Sequence, residues 1–518
     1  MGGRKKLGII GACAGYCLLL TALTLSERTA PYAMIRTFWD AVWYSLVTLT
    51  TVGYGDLYPV TPVGRIVGLV FLAGSLGILA AAAAAVFALL RDRVGPVLRL
   101  SRLRGKAVYL FSEENAASAA LGARLTEREK DAAVVFCGSD TAGESVPGKN
   151  VFRWETDLRE FLRRADGRIR IQGIFLMNGD AEMNRKTAAG IGNRDCGVYG
   201  MMPEEGAPSG VRAFDSAACT ARMYWQKHPL AKEEKVILLI GDGALAQQLL
   251  EQAILVNCRV PWAKSVYHLY GDWEEYLQCH PVLTEHLFQQ ERPDQDRFSF
   301  HGGRWMTAPS LLTESDRILF CADDPRENLR EASRMIRLFP LRGRVDVYGG
   351  SMAEGISGFG GEEEVFTPET VMKREQDRAA RVMHTLYCRN SGQEIPWESL
   401  TEFQKDSNRS AADHLRTKLA LLTPDEKDPI PSAGRIGRAL ELFAEAPPEE
   451  REKARFCEHE RWMRFHWLRN WRLGEQKSEA MRTHPSLRPY EELTPKEQAK
   501  DDSAWENLRA LERGTDEE

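Results

Sequence analysis

Two long apolar stretches occupy most of the first 90 residues. Residues 7–25 contain no charged side chain, and residues 63–90, rich in Gly, Ala, Leu and Val, contain only Arg65, near one end. At about 1.5 Å of rise per residue, each stretch is long enough to cross a hydrocarbon core of roughly 30 Å as a helix. Between them, residues 36–49 carry aromatic residues at near-helical spacing. The pattern predicts two membrane spans with a short helix between them.

Basic residues flank the two predicted spans on one side. They are Arg4, Lys5 and Lys6 before the first span, and Arg91, Arg93, Arg99, Arg102 and Arg104 after the second. Because loops rich in Lys and Arg stay on the cytoplasmic side, we expect a multi-pass protein of the plasma membrane with both flanks cytoplasmic. A cleaved signal peptide over residues 1–30 is the alternative. It is disfavoured because the apolar run exceeds the usual length of about 7–15 residues and no clear small-residue cleavage site follows.

The loop between the predicted spans contains Thr51-Val52-Gly53-Tyr54-Gly55-Asp56. Backbone carbonyls of such a segment, with the Thr51 hydroxyl, can replace the water shell of a potassium ion when several chains meet around an axis. Glycine at positions 53 and 55 allows the left-handed angles that this geometry needs. The segment predicts a selectivity filter that binds K⁺ at residues 51–54. Because one chain cannot close a ring of oxygens, it also predicts a homotetramer.

Residues 39–65, WDAVWYSLVTLTTVGYGDLYPVTPVGR, resemble the pore of two-helix bacterial potassium channels. The resemblance implies that Trp43 and Tyr44 brace the filter from behind and that Asp56 is tied to it. Some relatives place a glutamate where this chain has Val47, so their inactivation behaviour is not carried over. Gly74 and Gly77, midway along the second span, are either a gating hinge or small residues for close helix packing.

Beyond about residue 100 the chain is polar enough to be soluble, and more than 400 residues imply about three domains. The 68 basic and 73 acidic residues give a net charge of −5, which provides no electrostatic case for nucleic acid as a partner. The ten cysteines are scattered singly, without metal-site spacing. We expect reduced, mostly buried thiols in a cytoplasmic region.

Apolar runs alternate with helical patterns from residue 105 to residue 391, which is typical of parallel sheets flanked by helices. The predicted strands cover residues 107–111, 132–136, 171–177, 196–201, 236–240, 265–270, 317–321 and 345–348, with helices at about 244–257 and 325–338. The economical interpretation is two doubly wound, Rossmann-like units in tandem, over residues 105–231 and 232–391.

The second unit has a glycine-rich turn after its first strand. Residues 240–246 read Ile-Gly-Asp-Gly-Ala-Leu-Ala, a G-x-G-x-x-A pattern in which backbone N–H groups could hold the phosphate of a nucleotide. The candidate nucleotide-binding residues are Gly241, Asp242, Gly243, Ala246 and, for a ribose hydroxyl, Asp272. A tight turn kept for helix-to-sheet packing explains the pattern equally well. At the corresponding turn of the first unit, acidic residues at 113 and 114 oppose a bound pyrophosphate.

A doubly wound pair behind a two-helix pore resembles the regulator-of-conductance (RCK) architecture. Residues 175–184 and 365–369 look like that family's later strand-to-helix turns. The resemblance implies a cytosolic ring that pulls on the second membrane helix when a ligand binds. Members of that family use nucleotides or divalent ions as ligands, and nothing in this chain singles out an ion cage.

Residues 395–518 change to a mainly α, tryptophan-rich pattern. The segments 458–462, 470–474 and 484–493 resemble, in order, the ryanodine-receptor (RyR) repeat domain, and residues 407–414 belong to the same module. Such modules resemble sensors of small, nucleotide-derived ligands. Aromatic residues could stack a base and arginines could grip a phosphate, the alternative being an ordinary aromatic core. These candidates are Trp462, Trp467, Trp471, Tyr490, Arg461 and Arg488.

The sequence thus predicts a membrane α-helical pore, two spans and a pore helix over residues 1–100, then tandem α/β domains and a mainly α sensor. The predicted function is a ligand-gated, potassium-selective channel without covalent chemistry. A membrane-tethered nucleotide-dependent enzyme and a non-conducting sensor scaffold are the alternatives. The identity of the ligand, its domain and the sign of its effect on the pore stay open.

Overall fold

The computed structural model describes residues 2–89, 100–138, 150–165, 167, 169–192, 194–290, 292, 295–350, 355–424 and 431–512. The chain forms two compact units, Met1–Arg104 and Gly105–Glu518, which are treated separately below. Helices of eight or more residues are numbered α1 to α13. The basic residues 91, 93 and 99 and the last residue of the second predicted span lie outside the described residues.

The first unit consists of three helices, α1 (Gly2–Glu27), α2 (Phe38–Leu49) and α3 (Pro62–Leu89). Within the described residues, Pro62–Ala84 is the one segment whose length and composition would let it cross a membrane. The apolar part of α1 that can be assessed, Ala14–Glu27, is shorter. The three helices correspond to the predicted elements, while the two-span arrangement itself stays a prediction.

Polar contacts fix the start of α2 and the end of the loop that joins α2 to α3. Thr37 and Asp40 form a capping box that starts α2. The buried Glu27 carboxylate, at the end of α1, accepts hydrogen bonds from the amides of Val60 and Thr61 at 3.0 and 2.9 Å and from the Thr61 hydroxyl at 2.6 Å. The chain leaving the candidate filter is therefore anchored to α1 before α3 begins.

The second unit begins with a six-stranded parallel sheet. Its strands are β1 (Ala107–Phe111), β2 (Ala132–Cys137), β3 (Val151–Trp154), β4 (Arg170–Leu176), β5 (Gly197–Met201) and β6 (Val211–Phe214), in the order β3-β2-β1-β4-β5-β6. The helices are α4 (Ala116–Arg128), α5 (Leu158–Ala165), α6 (Ala181–Ile191) and α7 (Ser216–Lys227). This strand order is that of the doubly wound dinucleotide-binding fold.

A second parallel sheet repeats the same order. Its strands are β7 (Val236–Ile240), β8 (Val266–Tyr270), β9 (Arg297–His301), β10 (Arg317–Phe320), β11 (Arg344–Tyr348) and β12 (Ser357–Phe359), in the order β9-β8-β7-β10-β11-β12. Helices α8 (Ala244–Val256) and α9 (Pro325–Leu338) are the long ones; the short ones are Glu274–Cys279, Pro281–Leu283, Thr284–Phe288, Trp305–Thr307 and Pro309–Glu314.

The tandem of parallel sheets was predicted from the sequence, but the number of strands was wrong. The sequence predicts four strands in each sheet, and all eight are present within one or two residues of their expected ends. The four missed strands, β3, β6, β9 and β12, are the outermost strands of the two sheets. Their residues are less completely buried than the neighbouring central strands, so their apolar pattern is weaker.

The two sheets are interlocked. Helix α7 follows β6 of the first sheet, yet its Ala221, Tyr224 and Trp225 pack in the core that α8 and the second sheet form. In return, the short helices Glu362–Val365 and Pro368–Val371, which follow the second sheet, pack against the core of the first. Each sheet thus packs against helices that follow the other sheet in the chain, and the hydrophobic cores of the two sheets depend on each other.

The remaining residues form helices α10 (Arg378–Ser391), α11 (Glu402–Leu422), α12 (Ala433–Ala444) and α13 (Pro448–Leu468). A parallel pair, β13 (Arg472–Leu473) and β14 (Thr483–His484), follows α13. The short helical segments are Glu375–Asp377, Trp397–Ser399, Tyr490–Glu492, Pro495–Gln498, Ala499–Asp501, Asp502–Glu506 and Asn507–Leu511. The nine cysteines with described side chains are free thiols, five of them buried.

Candidate functional site

The candidate filter segment directly follows α2. Thr51, Gly53 and Gly55 have φ angles of 61°, 57° and 75°. The left-handed conformation therefore recurs at every second residue, and at Thr51 it is adopted by a residue with a side chain, which costs about 1–2 kcal/mol. The amides of Val52 and Gly53 both donate to the Val47 carbonyl, at 3.0 and 3.2 Å. The end of α2 and the segment are thus one hydrogen-bonded turn.

The side of the segment that faces α2 is held by an indole ring. Trp43 donates from Nε1 to Asp56 Oδ2 at 2.9 Å, and its ring lies parallel to that of Tyr54 at a centroid distance of 6.2 Å. Tyr44 faces α3 instead, with its ring 6.3 Å from that of Phe71. Trp43 and Asp56 are therefore placed as expected for a brace, whereas Tyr44 contacts the helix behind. Residues 51–56 are themselves exposed in the single chain.

The two candidate hinge glycines differ in their surroundings. A Cβ atom on Gly74 would lie 3.3 Å from Leu49 Cδ2, at the end of α2, whereas a Cβ on Gly77 would meet no atom of the described residues within 4 Å. Helix α3 continues through both positions. Gly74 thus has a packing role against α2, while the hinge role of either glycine stays a prediction.

In the glycine-rich turn of the second sheet, both glycines are explained by close packing. Gly241 has a φ of 139°, and a Cβ there would lie 2.7 Å from the backbone nitrogen of Ala322. A Cβ on Gly243 would lie 2.3 Å from the carboxylate oxygens of Asp323. Ala246 is fully buried on α8. The start of α8 therefore already faces a carboxylate at the place where a phosphate would approach.

One of the two aspartates proposed for this site, Asp242, binds the loop that contains the other. Asp242 accepts a hydrogen bond from the amide of Asp272 at 2.6 Å, and Asp272 is exposed and accepts from the amide of Glu274. These contacts tie the turn after β7 to the turn after β8. The five predicted residues are thus brought together, in an acidic setting that favours the packing interpretation of the motif over an anionic ligand.

The four aromatic candidates of the C-terminal module all have ring partners. Trp467 stacks on His286 with a centroid distance of 5.1 Å, and Trp471 stacks on Phe403 at 4.9 Å. Both are buried in the core shared with the second sheet. Tyr490 is buried as well, whereas Trp462 is half-buried. Of these rings, Trp462 keeps the most surface for a ligand.

Around Trp462 lie three imidazole rings. The distance from the centroid of the indole ring is 4.1 Å for His466 and 4.9 Å for His484. The ring of His459 stacks on the indole with a centroid distance of 5.7 Å. Burial lowers the pKa of all three histidines, and that of His466 to about 3. They are therefore neutral at physiological pH and provide no positive charge for a phosphate.

The two arginine candidates are already engaged. Arg461 is buried and donates to Glu458 at 2.6 Å and to the Ser410 hydroxyl at 2.7 Å. Glu458 also pairs with the buried Lys418 at 2.7 Å. Although burial acts in the opposite direction, Arg461 and Lys418 hold the pKa of Glu458 well below its usual value. Arg488 is half-buried and donates to the Pro485 carbonyl at 2.7 Å.

Sequence reasoning missed a cavity of about 190 Å³ in the second unit. Its walls come from the loops after β5 and β6, the start of α7, the middle of α8, residues 370–377 and the start of α11. Four guanidinium and six carboxyl groups line it, namely those of Arg222, Arg374, Arg409, Arg469, Glu204, Asp215, Glu251, Asp377, Glu402 and Asp406. No local signal in the sequence indicates it, because residues 407–414 of α11 are assigned only to the RyR-like module and the other walls come from distant elements.

Ion pairs join the C-terminal helices to the first sheet at this cavity. Arg222 of α7 lies 2.7 Å from both Asp377 and Asp413, and Arg409 of α11 lies 2.8 Å from Asp377 and 3.1 Å from Glu204. Arg222, Asp377 and Asp413 are buried, and Arg409 keeps 12% of its side chain exposed. Within the part of the chain that the structure describes, no group of three or more His, Cys, Asp or Glu side chains could hold a metal ion.

Comparisons with known families identify both ends of the chain. Residues 9–92 match the ion channel family model, and residues 450–513 match the RyR domain model. Among curated proteins, the calcium-gated potassium channel TvoK of Thermoplasma volcanium is 36% identical over 66 residues, 13% of this chain and 19% of that protein. The voltage-gated potassium channel of Aeropyrum pernix is 44% identical over 48 residues, 9% of this chain and 16% of that protein.

The matched segments thus span less than a fifth of the length of these two relatives. Human potassium voltage-gated channel subfamily A member 4 is 43% identical over 65 residues, 12% of this chain and 10% of that protein. Among solved structures, GsuK bound to ADP has a TM-score of 0.32 and 15% identity, covering 70% of this chain and 96% of that one. The potassium-channel resemblance of the N-terminal residues and the RyR resemblance of the C-terminal residues are therefore confirmed.

Proposed function

We propose that this chain is the subunit of a potassium-selective, ligand-gated channel. The observation that carries the proposal is the segment Thr51-Val52-Gly53-Tyr54-Gly55, with left-handed φ angles at its first, third and fifth residues and an indole behind it. Such a segment supplies backbone carbonyls and a hydroxyl, which are the ligands that replace the water shell of K⁺. The names of two relatives, a calcium-gated and a voltage-gated potassium channel, support the assignment.

The assembly that this chemistry requires is a homotetramer in a plasma membrane. Residues 51–56 are exposed in one chain, and a cage of oxygens around an ion needs symmetry-related copies of them. We assign residues 1–100 to the pore, residues 105–231 and 232–391 to the tandem sheet domains, and residues 395–518 to the RyR-like module. In this arrangement α1 and α3 span the bilayer, α2 is the pore helix, and everything after α3 is cytoplasmic.

Gating by a small ligand is energetically undemanding in a tetramer. Moving a gate from 1:99 to 99:1 takes about 5.5 kcal/mol of differential binding, so four identical sites need supply only about 1.4 kcal/mol each. That is roughly a tenfold preference for one state per site. The interlocked sheets and the buried ion pairs to α11 allow a change at a cytoplasmic site to move the second unit as a whole.

The direct experiment is ion flux from liposomes that contain the purified full chain. We expect K⁺ to leave potassium-loaded vesicles while Na⁺ is retained in sodium-loaded ones, and we expect the protein to migrate as a tetramer in detergent. Equal fluxes of K⁺ and Na⁺, or a monomer, would refute the proposal. Turnover of a nucleotide by the same preparation would instead favour a membrane-tethered enzyme.

A further inference from the structure

The cavity in the second unit carries more negative than positive charge. Each of its four guanidinium groups lies between 2.6 and 2.9 Å from its nearest carboxylate oxygen. With six carboxyl groups on the same walls and Asp413 pairing with Arg222 from behind, the arginines are already fully neutralised. An anionic ligand would find no free cation among these residues.

Two of the carboxyl groups share one guanidinium group. Glu204, in the loop after β5, lies 3.1 Å from Arg409, which is also 3.6 Å from Glu402 at the start of α11. Burial, and then the neighbouring Glu402 carboxyl group, raise the pKa of Glu204 above its usual value. Two carboxylates in contact cannot both ionise readily, so the pair is a place where a positive group would be stabilised.

Among the described residues, two of the cavity carboxylates have no ion pair with Lys or Arg: Asp215, which caps α7 by accepting from the Ala218 amide, and Glu251, on α8. In that part of the chain, the basic group nearest to Glu251 is His280, 3.9 Å away, whose own pKa is lowered by burial so that the ring is neutral. Burial raises the pKa of Glu251 to about 7, although Arg469, which is itself paired with Asp406 at 2.9 Å, acts to lower it. Beside it, the side-chain oxygen of Gln252 is buried and accepts no hydrogen bond from any residue that the structure describes.

The size of the cavity limits what could occupy it. About 190 Å³ is below the roughly 300–1,000 Å³ of pockets for drug-sized ligands, and it equals the volume of about six water molecules at roughly 30 Å³ each. A whole nucleotide is therefore too large. The Gln252 side-chain oxygen can accept an N–H hydrogen bond, and the Glu251 carboxylate can pair with a positive charge. An ammonium group provides both.

We propose that this cavity binds a small organic cation that carries primary ammonium groups, held by the Glu251 carboxylate and the Gln252 side-chain oxygen. Such a ligand would bridge α8 of the second sheet to the first sheet and to α11, the three parts that meet there. This is a site additional to the glycine-rich turn and to the C-terminal aromatics.

The test is isothermal calorimetry of the purified full chain with 1,4-diaminobutane, and with 1,4-butanediol as the uncharged analogue of the same length. We expect saturable binding of the diamine and none of the diol. Glu251→Gln, which keeps the shape and removes the charge, should weaken diamine binding about tenfold to a hundredfold, the value of a lost charge-assisted hydrogen bond. Glu327→Gln, on the exposed face of α9, is the matched control and should bind like the parent.

No saturable binding of the diamine, equal binding of the diol, or an unchanged affinity in Glu251→Gln would each overturn the proposal, and the cavity would then hold water only. The readout does not involve ion flux. A chain that binds the diamine without conducting K⁺ would therefore contradict the channel function alone, and a conducting chain that ignores the diamine would contradict this site alone.

Discussion

Replacing Gly53 by alanine is the sharpest test of the backbone geometry in the candidate filter. Gly53 has a φ of 57°, and a Cβ atom there would meet no other atom within 4 Å of the single chain. Steric crowding with neighbouring groups is therefore small, and the penalty comes from the backbone angle itself. For a residue with a side chain, the left-handed conformation costs roughly 1–2 kcal/mol.

Symmetry multiplies that penalty. In a tetramer the conducting filter contains four copies of residue 53, so Gly53→Ala should destabilise it by about 4–8 kcal/mol relative to other conformations. Since each 1.4 kcal/mol is a factor of ten, the conducting conformation should lose population by about a thousandfold or more. The same change at a helical position should be neutral or slightly stabilising.

The assay is potassium efflux from liposomes, compared between the parent, Gly53→Ala and Gly15→Ala. Gly15 lies on α1, and a Cβ there would also meet open space, but its φ is not left-handed. We expect Gly15→Ala to conduct like the parent and Gly53→Ala to assemble normally on size exclusion yet release K⁺ no faster than empty liposomes. A Gly53→Ala protein that still conducts K⁺ and excludes Na⁺ would refute the assigned role of this backbone conformation.

Three further predictions concern other parts of the chain. Trp43→Phe keeps an aromatic ring but removes the hydrogen bond to Asp56, which should cost about 0.5–1.5 kcal/mol per subunit. It should therefore shorten channel openings in single-channel recordings. Trp39→Phe, at a ring that is 77% exposed, should leave the openings unchanged. Arg222→Met removes the arginine partner of the buried Asp413 and leaves Asp377 with Arg409 alone. It should lower the free energy of unfolding by about 3–5 kcal/mol in denaturant titrations of the full chain, and an unchanged midpoint would show that the ion pairs are dispensable. The pKa of Glu251 is raised from 4.5 to about 7, so the stability that this group contributes is fully present below pH 4.5 and is lost as the pH rises through 7. Glu251→Gln should remove this decrease from a plot of melting temperature against pH. An unchanged plot would argue against the raised pKa.

Central strands were predictable from the sequence, and edge strands were not. Every residue of β2 is buried, and its run Ala-Ala-Val-Val-Phe-Cys indicates a strand without any partner being known. In β3 one residue of four is buried and in β12 one of three, because the outermost strands have a neighbour on one side only. Their apolar signal depends on which strand lies beside them, and a single sequence does not state that.

The glycine-rich turn shows a different limit. Its spacing on the sequence predicts both a phosphate-binding turn and a packing turn equally well. The distinction lies in Asp323, eighty residues downstream, whose carboxylate faces Gly243. Only the pairing of β7 with β10 brings the two residues together.

The cavity was missed for a similar reason. Arg222, Glu251 and Arg409 belong to α7, α8 and α11, and nothing in the local pattern of any one helix indicates that the three converge. The same holds for Arg461. An arginine is a residue type that often binds phosphate at a surface, but this one is buried and donates a hydrogen bond to Ser410 of α11. The filter, in contrast, is a prediction that rests on six consecutive residues, so it could be made without knowing which elements meet in the fold.

The reversal potential of the reconstituted protein, with K⁺ on one side of a planar bilayer and Na⁺ on the other, tests the central claim most directly. We predict a reversal potential close to the equilibrium potential of K⁺, because the ring of carbonyl oxygens binds the dehydrated potassium ion. A reversal near zero, with both ions carrying current equally, would contradict the account.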